Sequence, residues 1–215
     1  MERPESLETA RLVLVTLLPA EIEALIAGDA DRASEQTGAM FPTGWPNDRD
    51  ARDGLSSHLR ALQSDPNQRA WRIRVIVERA SNHVVGSINL KGPPSDEGDV
   101  EIGWGLIEEA RGCGYAFEAA SAVMAWAGRQ SGVTSISATV PDDNDRSQRL
   151  AARLGLVRCG AMRRHLPLWT KGRDSSCAKP TAAVAETATR RYRRRTFNPE
   201  HGSRRLTEPF RSLDV

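Results

Sequence analysis

No apolar run in this 215-residue chain approaches the roughly 20 residues that a membrane span requires. The opening MERPESLETA is acidic and polar, which is not the pattern of a signal peptide. Cysteine is scarce: Cys113, Cys159 and Cys177 stand at wide, irregular spacing, suggesting neither a disulfide framework nor a zinc site, and no metal is expected. A reducing cytosol is the natural compartment, so the protein reads as cytoplasmic. Two familiar phosphate signatures are missing as well. No lysine followed by serine or threonine stands where a Walker loop needs it, and Phe117 occupies the place of the third glycine of GxGxxG.

Hydrophobic residues make up 39% of the chain and charged residues 27%, the proportions of a globular domain able to bury a core. The charge is unevenly spread. From Ser175 onward nine Lys/Arg face four Asp/Glu, a net +5, whereas Met1 to Asp174 holds 21 basic and 24 acidic residues, a net −3. Residues 1–174 therefore read as one domain, and 175–215, with RRYRRR at Arg190 to Arg195 and no alternating apolar run, as a basic tail disordered by composition.

The most informative stretch is VEIGWGLIEEARGCGYAFEAASAVMAWAGRQ, Val100 to Gln130. Val100, Ile102, Trp104 and Leu106 alternate with Glu101, Gly103 and Gly105, as in a strand. Gly112 and Gly114 then bracket a tight turn, and Ala116, Ala120, Val123 and Ala127 follow at helical spacing. A strand, a glycine turn and a helix in that order leave backbone N–H groups pointing out of a helix N-terminus, which suits phosphate. Arg111, Gly114 and Ala116 within RGCGYA match Q/R-x-x-G-x-G/A, which resembles the acyl-CoA pyrophosphate loop of the GNAT N-acetyltransferase superfamily. The bland alternative is an ordinary strand-to-helix turn in another α/β protein.

A second stretch carries the same resemblance. In PDDNDRSQRLAARLGL, Asn144 or Asp145 can cap a helix that Gly155 stops. Asn144, Ser147, Leu154 and Gly155 are similar to the family's other cofactor-contacting element, with Leu156 in place of an aromatic. The opening LETARLVLVTL resembles the start of the ribosomal-protein N-terminal acetyltransferases within that superfamily.

The remaining elements follow in order. Leu7–Leu17 reads as a strand, a short helix follows Pro19, and Asp29–Asn47 reads as loop. Asp48–Ser64 reads as a helix, Trp71–Glu78 and His83–Lys91 as a hairpin, and Val133–Val140 as a further strand. Phe41 and Trp45 either line an acceptor pocket or cover the core. His83 and His165 read as structural. The resemblance implies an α+β, three-layer fold: a mostly antiparallel mixed sheet of about six strands flanked by helices. The text after Lys171-Gly172-Arg173 lacks an apolar last strand, so that strand is expected to be missing or replaced, leaving a sheet edge unpaired.

What the resemblance implies for chemistry is direct acetyl transfer from acetyl-CoA to an amine, a protein N-terminus or a small molecule. Leu106, Ile107 and Glu108 would pair with the pantetheine arm; Arg111, Gly112, Cys113, Gly114, Tyr115 and Ala116 would hold the pyrophosphate; Asn144 and Ser147 would face the arm from the second helix. Glu101 is either the general base, with a raised pKa, or a strand-surface glutamate. Many relatives carry an acidic tyrosine where Ala151 stands here, so proton donation to the thiolate falls to Ser147, unless Ser147 only contacts the cofactor. A chain that binds acyl-CoA without catalysing is the alternative. Acetyl-CoA and an amine are the implied partners, with no membrane and a homodimer left open. The tail is an unrelated extension, the product of a frame change after Asp174, or a basic arm toward nucleic acid or the ribosome.

Overall fold

Residues 3–46 and 49–172 are described by the computed structural model. Both stretches of the basic tail named above, and Asp48 at the expected start of a helix, lie outside them. The chain starts with β1 (Leu7–Glu8), turns through Thr9–Arg11, and pairs back on itself in β2 (Leu12–Thr16), with Leu7 opposite Leu14. So the single strand expected over Leu7–Leu17 is a short hairpin.

Helix α1 (Pro19–Ile26) begins with proline, whose fixed φ suits a first turn. Helix α2 (Ala30–Thr37) corrects the loop expected there. Its sequence, ADRASEQT, buries only Ala33, so it carries almost no hydrophobic signal; its caps form it instead. The Asp29 carboxylate accepts from the Arg32 N–H at 3.0 Å, and Gly38 ends the helix with φ +77°. Helix α3 (Arg49–Ser64) leads through a 3₁₀ turn into β3 (Ile73–Glu78) and β4 (Val84–Leu90). Strand β5 (Asp99–Leu106), α4 (Tyr115–Ala127), β6 (Ser135–Thr139), α5 (Asp145–Arg153), β7 (Val157–Arg163) and β8 (Leu166–Gly172) complete the order.

These strands form one eight-stranded sheet in the order β1-β2-β3-β4-β5-β6-β8-β7. Only the β5–β6 pair is parallel. Period-two alternation gives the sheet two buried faces. Leu12, Leu14, Ile76, Ile88, Val100 and Ile102 pack under α4 and α5 with Ala120, Val123 and Leu154. Val75, Val77 and Val84 pack on the other side against Leu25, Leu55 and Leu62 of α1 and α3. The result is an α+β, three-layer arrangement of a mixed sheet flanked by helices.

The last strand is present. Leu166–Gly172 pairs with β6 on one side (Ile136 opposite Lys171, Ala138 opposite Trp169) and with β7 on the other. It escaped the sequence because Pro167 and Lys171 break its apolar pattern, and because it precedes the segment where an apolar run was sought. Its hairpin turns on Arg164 and His165, both at positive φ (53° and 68°), the two-residue geometry that matches strand twist. Among the described residues, no helix is long and apolar enough to cross a membrane.

Candidate active site

The sheet splits at its centre. β5 and β6 pair at Asp99–Ser135, Val100–Ile136 and Glu101–Ser137, and no farther. Beyond Glu101, β5 remains hydrogen-bonded to β4 as far as Leu106, but its other edge faces an opening. A Cβ built on Gly105 would find no atom within 4 Å. The backbone amides of that edge are therefore available to an extended ligand.

At the end of β5 the chain enters the glycine turn. Gly112 and Gly114 have φ of +83° and +82°, a region that costs other residues about 1–2 kcal/mol. Gly114 is the N-cap of α4 and offers no side chain to its first turn, so the free N–H groups there are left for an outside acceptor. The turn is pinned from behind. Arg11 donates to the Cys113 carbonyl at 3.0 Å and pairs with Glu118 at 2.7 Å. The Tyr115 hydroxyl bonds the Glu78 carboxylate, and Arg11 lies 4.7 Å above the Tyr115 ring. That hydrogen bond raises the phenol's pKa and lowers the carboxyl's.

Helix α5 closes the other side. The Asn144 side chain accepts from the Ser147 N–H at 3.0 Å, so Asn144 caps the helix. The Trp104 indole N–H donates to the Ser147 hydroxyl oxygen at 3.3 Å, across the split. With its oxygen so engaged, the hydroxyl keeps its own proton to donate. Loop, β5 edge and α5 together enclose a cavity of about 860 Å³. Arg111, Arg146, Arg149 and Arg153 line it, and none of the described residues lining it is acidic. Such a wall concentrates positive potential and selects an anionic ligand.

The apex of the split, by contrast, is closed. Glu101 is buried (8% exposed) and both its oxygens are taken. One accepts from the Lys91 ammonium and from the Thr139 hydroxyl at 2.8 Å, the other from Arg163 at 3.1 Å. Arg163 also donates to Asp99 at 2.9 Å and to the Ser137 hydroxyl at 3.0 Å. Burial alone would push the Glu101 carboxyl up, but Lys91, Thr139 and Arg163 outweigh it and hold the pKa below the usual carboxylate range. The raised pKa expected of a general base is thus replaced by a lowered one. Two positive charges and two hydroxyl-bonded carboxylates make the apex a neutral, satisfied network.

Comparison with known proteins fits this geometry. A family model described as the acetyltransferase (GNAT) domain matches residues 11–157. The chain belongs to the GNAT acetyltransferase family. A curated relative, the uncharacterized N-acetyltransferase YjdG of Bacillus subtilis (strain 168), is 28% identical over 151 residues, covering 70% of this chain and 89% of its own length. The crystal structure of an acetyltransferase from Agrobacterium tumefaciens str. C58 superposes with a TM-score of 0.56 at 22% identity, covering 80% and 97% of the two chains. A ribosomal-protein-S5-alanine acetyltransferase from Vibrio fischeri is similar in fold, with a TM-score of 0.55 at 15% identity, covering 80% and 98%.

Of the residues expected at the GNAT cofactor site, Leu106, Arg111, Gly112, Gly114, Ala116, Asn144 and Ser147 gather around the cavity. Ile107, Glu108, Cys113 and Tyr115 do not line it. Ile107 spends its N–H on the Val85 carbonyl at 3.0 Å, Glu108 points to solvent, and Tyr115 turns toward Glu78. Ala151 is fully buried and faces the core. Phe41 and Trp45 pack on each other at 5.4 Å and are both buried, so they cover the core. Missed by the sequence reading were Phe117 and Arg146, Arg149 and Arg153; the arginines recur three and four residues apart on one face of α5, a spacing visible in the sequence. Arg153 stacks 4.0 Å above the Phe117 ring.

Proposed function

We propose that this GNAT chain is an acetyl-CoA-dependent N-acetyltransferase that moves an acetyl group directly to a primary amine in a ternary complex. One observation carries the reading: a single cavity of about 860 Å³ joins the glycine loop, the open edge of β5 and Ser147. The donor set suits the CoA pyrophosphate, since it combines an uncapped helix N-terminus, two glycines at positive φ and four arginines. When bound, acetyl-CoA supplies an activated thioester. The chain's own residues do the rest. Arg111 and the first turn of α4 anchor the phosphates, and the β5 edge aligns the arm as an added strand would. Ser147, its oxygen held by Trp104, keeps its hydroxyl proton for the departing sulfur.

Glu101 takes a different role from the expected base. A carboxylate held by Lys91 and Arg163 is a poor proton acceptor, and its pairing supports a positioning role that fixes where the sheet splits. The ammonium then sheds its proton to water in the cleft before attack, and the second proton that the nitrogen loses as the amide forms returns through cleft water to the Ser147 oxygen, so the rate follows the amine's own ionisation. The same pairing favours a second reading, an acyl-CoA-binding protein with little turnover. The acceptor stays at the level of a primary amine, because the likeness to a ribosomal-protein enzyme supports the fold alone.

Calorimetric titration of acetyl-CoA, followed by a free-thiol assay across peptide N-termini, polyamines and amino acids, separates the outcomes. Binding with amine-dependent thiol release supports the enzyme. Binding without release for any amine favours the second reading. A folded chain that does not bind acetyl-CoA overturns both.

A further inference from the structure

Toward the far end of α4 from the glycine turn, roughly 12–18 Å along the helix, lies a second cavity of about 850 Å³. The segment 4–8 forms one wall, Ala122, Ala125 and Trp126 of α4 another, and Arg74 of β3 part of the floor. Arg74 is 1% exposed. One of its nitrogens donates to the Ala70 carbonyl at 2.7 Å, and the guanidinium lies 5.0 Å from the Trp126 ring. Among the described residues, Nε and Nη1 have no hydrogen-bond partner and no carboxylate pairs with the side chain. Thr16, directly opposite Arg74 in the β2–β3 register and so on the same face, also has a buried hydroxyl without a partner among the described residues.

A buried charge without a counter-charge is costly, and an unsatisfied donor beside it adds to that cost. Burial lowers the Arg74 pKa to about 10, which leaves it a cation at neutral pH. The other charged groups around this cavity do not supply the missing anion. Arg129 and Glu5 carry opposite charges on its exposed rim, and Glu8 is bound to Arg79 at 2.8 Å. Among the described residues, one positive charge is left over. The walls beyond it are apolar: Leu7, Ala122, Ala125 and Trp126.

We propose that this cavity is a second ligand site, separate from the acetyl-transfer cleft, that takes a small monocarboxylate with an apolar body. The unused donors of Arg74 are sealed from the cavity in the ligand-free protein, so a turn of the guanidinium brings them to the carboxylate, and the apolar body rests on Trp126 and the two alanines. A monoanion balances the one uncompensated charge; a dianion such as phosphate brings a second charge toward Glu5 and lacks an apolar part to bury.

The test is thermal unfolding of the full chain with butyrate or benzoate, against sodium chloride at matched ionic strength and against inorganic phosphate. The carboxylates are expected to raise Tm by several degrees at millimolar concentration, with saturation, while chloride and phosphate do not. Arg74→Met is expected to raise the Tm of the ligand-free protein and to abolish the carboxylate response. If Arg74 is instead a structural cation with water as its only partner, Arg74→Met lowers Tm and no carboxylate saturates, which overturns the proposal. Ala122→Leu narrows the cavity without touching Arg74; a carboxylate response that survives in this folded variant also overturns it, as does an equal response to phosphate.

Discussion

The two ends of β5 handle polar groups in opposite ways. At the Asp99–Glu101 end, each charge has a partner: Lys91, Arg163, Thr139 and Ser137 close on the two carboxylates. At the Leu106 end, the helix N-terminus has no side-chain cap and four arginines face a cavity. Satisfied networks in a low dielectric are rigid, and unsatisfied donors bind. One strand thus fixes the fork of the sheet with its first half and presents the ligand with its second.

The largest effect comes from filling the open end. Gly114→Trp puts a side chain at φ +82° with its Cβ 3.5 Å from the Arg11 guanidinium, so it displaces the pin behind the turn and distorts the cradle, and acetyl-CoA affinity is expected to fall at least about 100-fold in calorimetry, with an unchanged far-UV spectrum. A wild-type affinity in that variant would mean the glycine turn is not the anchor.

Next comes the intolerance of the closed end for a further cation. His58 of α3 is buried, and burial together with the charges of Arg72 and Lys91 lowers its pKa to about 4. The unfolded chain, with an ordinary histidine near 6.5, then takes up the proton first as pH falls. Stability is complete above that value and declines between about pH 6.5 and pH 4, by about 3 kcal/mol at the lower limit. Urea midpoints measured across that window should flatten in His58→Leu; an identical slope in the variant would assign the decline to other groups.

Opening the closed end is expected to cost somewhat less. Glu101→Gln strands Lys91 and Arg163, which are each about a third exposed, so the loss is about 2 kcal/mol rather than the larger penalty of a fully buried pair. Glu101 has a depressed folded pKa, so its contribution is present above the ordinary carboxylate value near 4.3 and disappears as pH falls through the folded one. The variant should lose that part of the acid dependence. Its kcat/KM should still follow the amine's pKa; an inflection below pH 8 that is present in wild type and absent in Glu101→Gln would restore Glu101 as the base.

The smallest effect is at the seam between the two ends. Ser147→Ala removes the hydroxyl that Trp104 holds, and kcat is expected to fall about 10- to 100-fold while KM changes little. An unchanged kcat would confine Ser147 to contacting the ligand.

The open end was legible in the sequence because its chemistry is local. Gly112, Gly114 and the Asn144 cap act within three or four residues, and their spacing announces them. The closed end was not. Glu101 meets its partners at sequence separations of 10, 38 and 62, from two different strands and from the residue that follows a third, and no local pattern encodes such a meeting. Helix α2 was hidden by its polarity and β8 by Pro167; each is held by caps or neighbours more than by its own periodicity. Arg74, set between Ile73 and Val75 inside the strand, was visible as an oddity, but only the packing of Trp126 over it shows that it is buried.

The placement of β8 between β6 and β7 has a consequence for synthesis. A ribosome delivers the chain from the N-terminus, so β6 and β7 emerge before the strand that must lie between them. Until Gly172 has cleared the exit tunnel, Ser135–Thr139 keeps one edge open, and β7 cannot settle beside it without shutting out β8. The half of the sheet that carries β6 is therefore the last to be sealed, and a nascent chain halted short of Leu166 offers any passing strand the edge meant for its own final one.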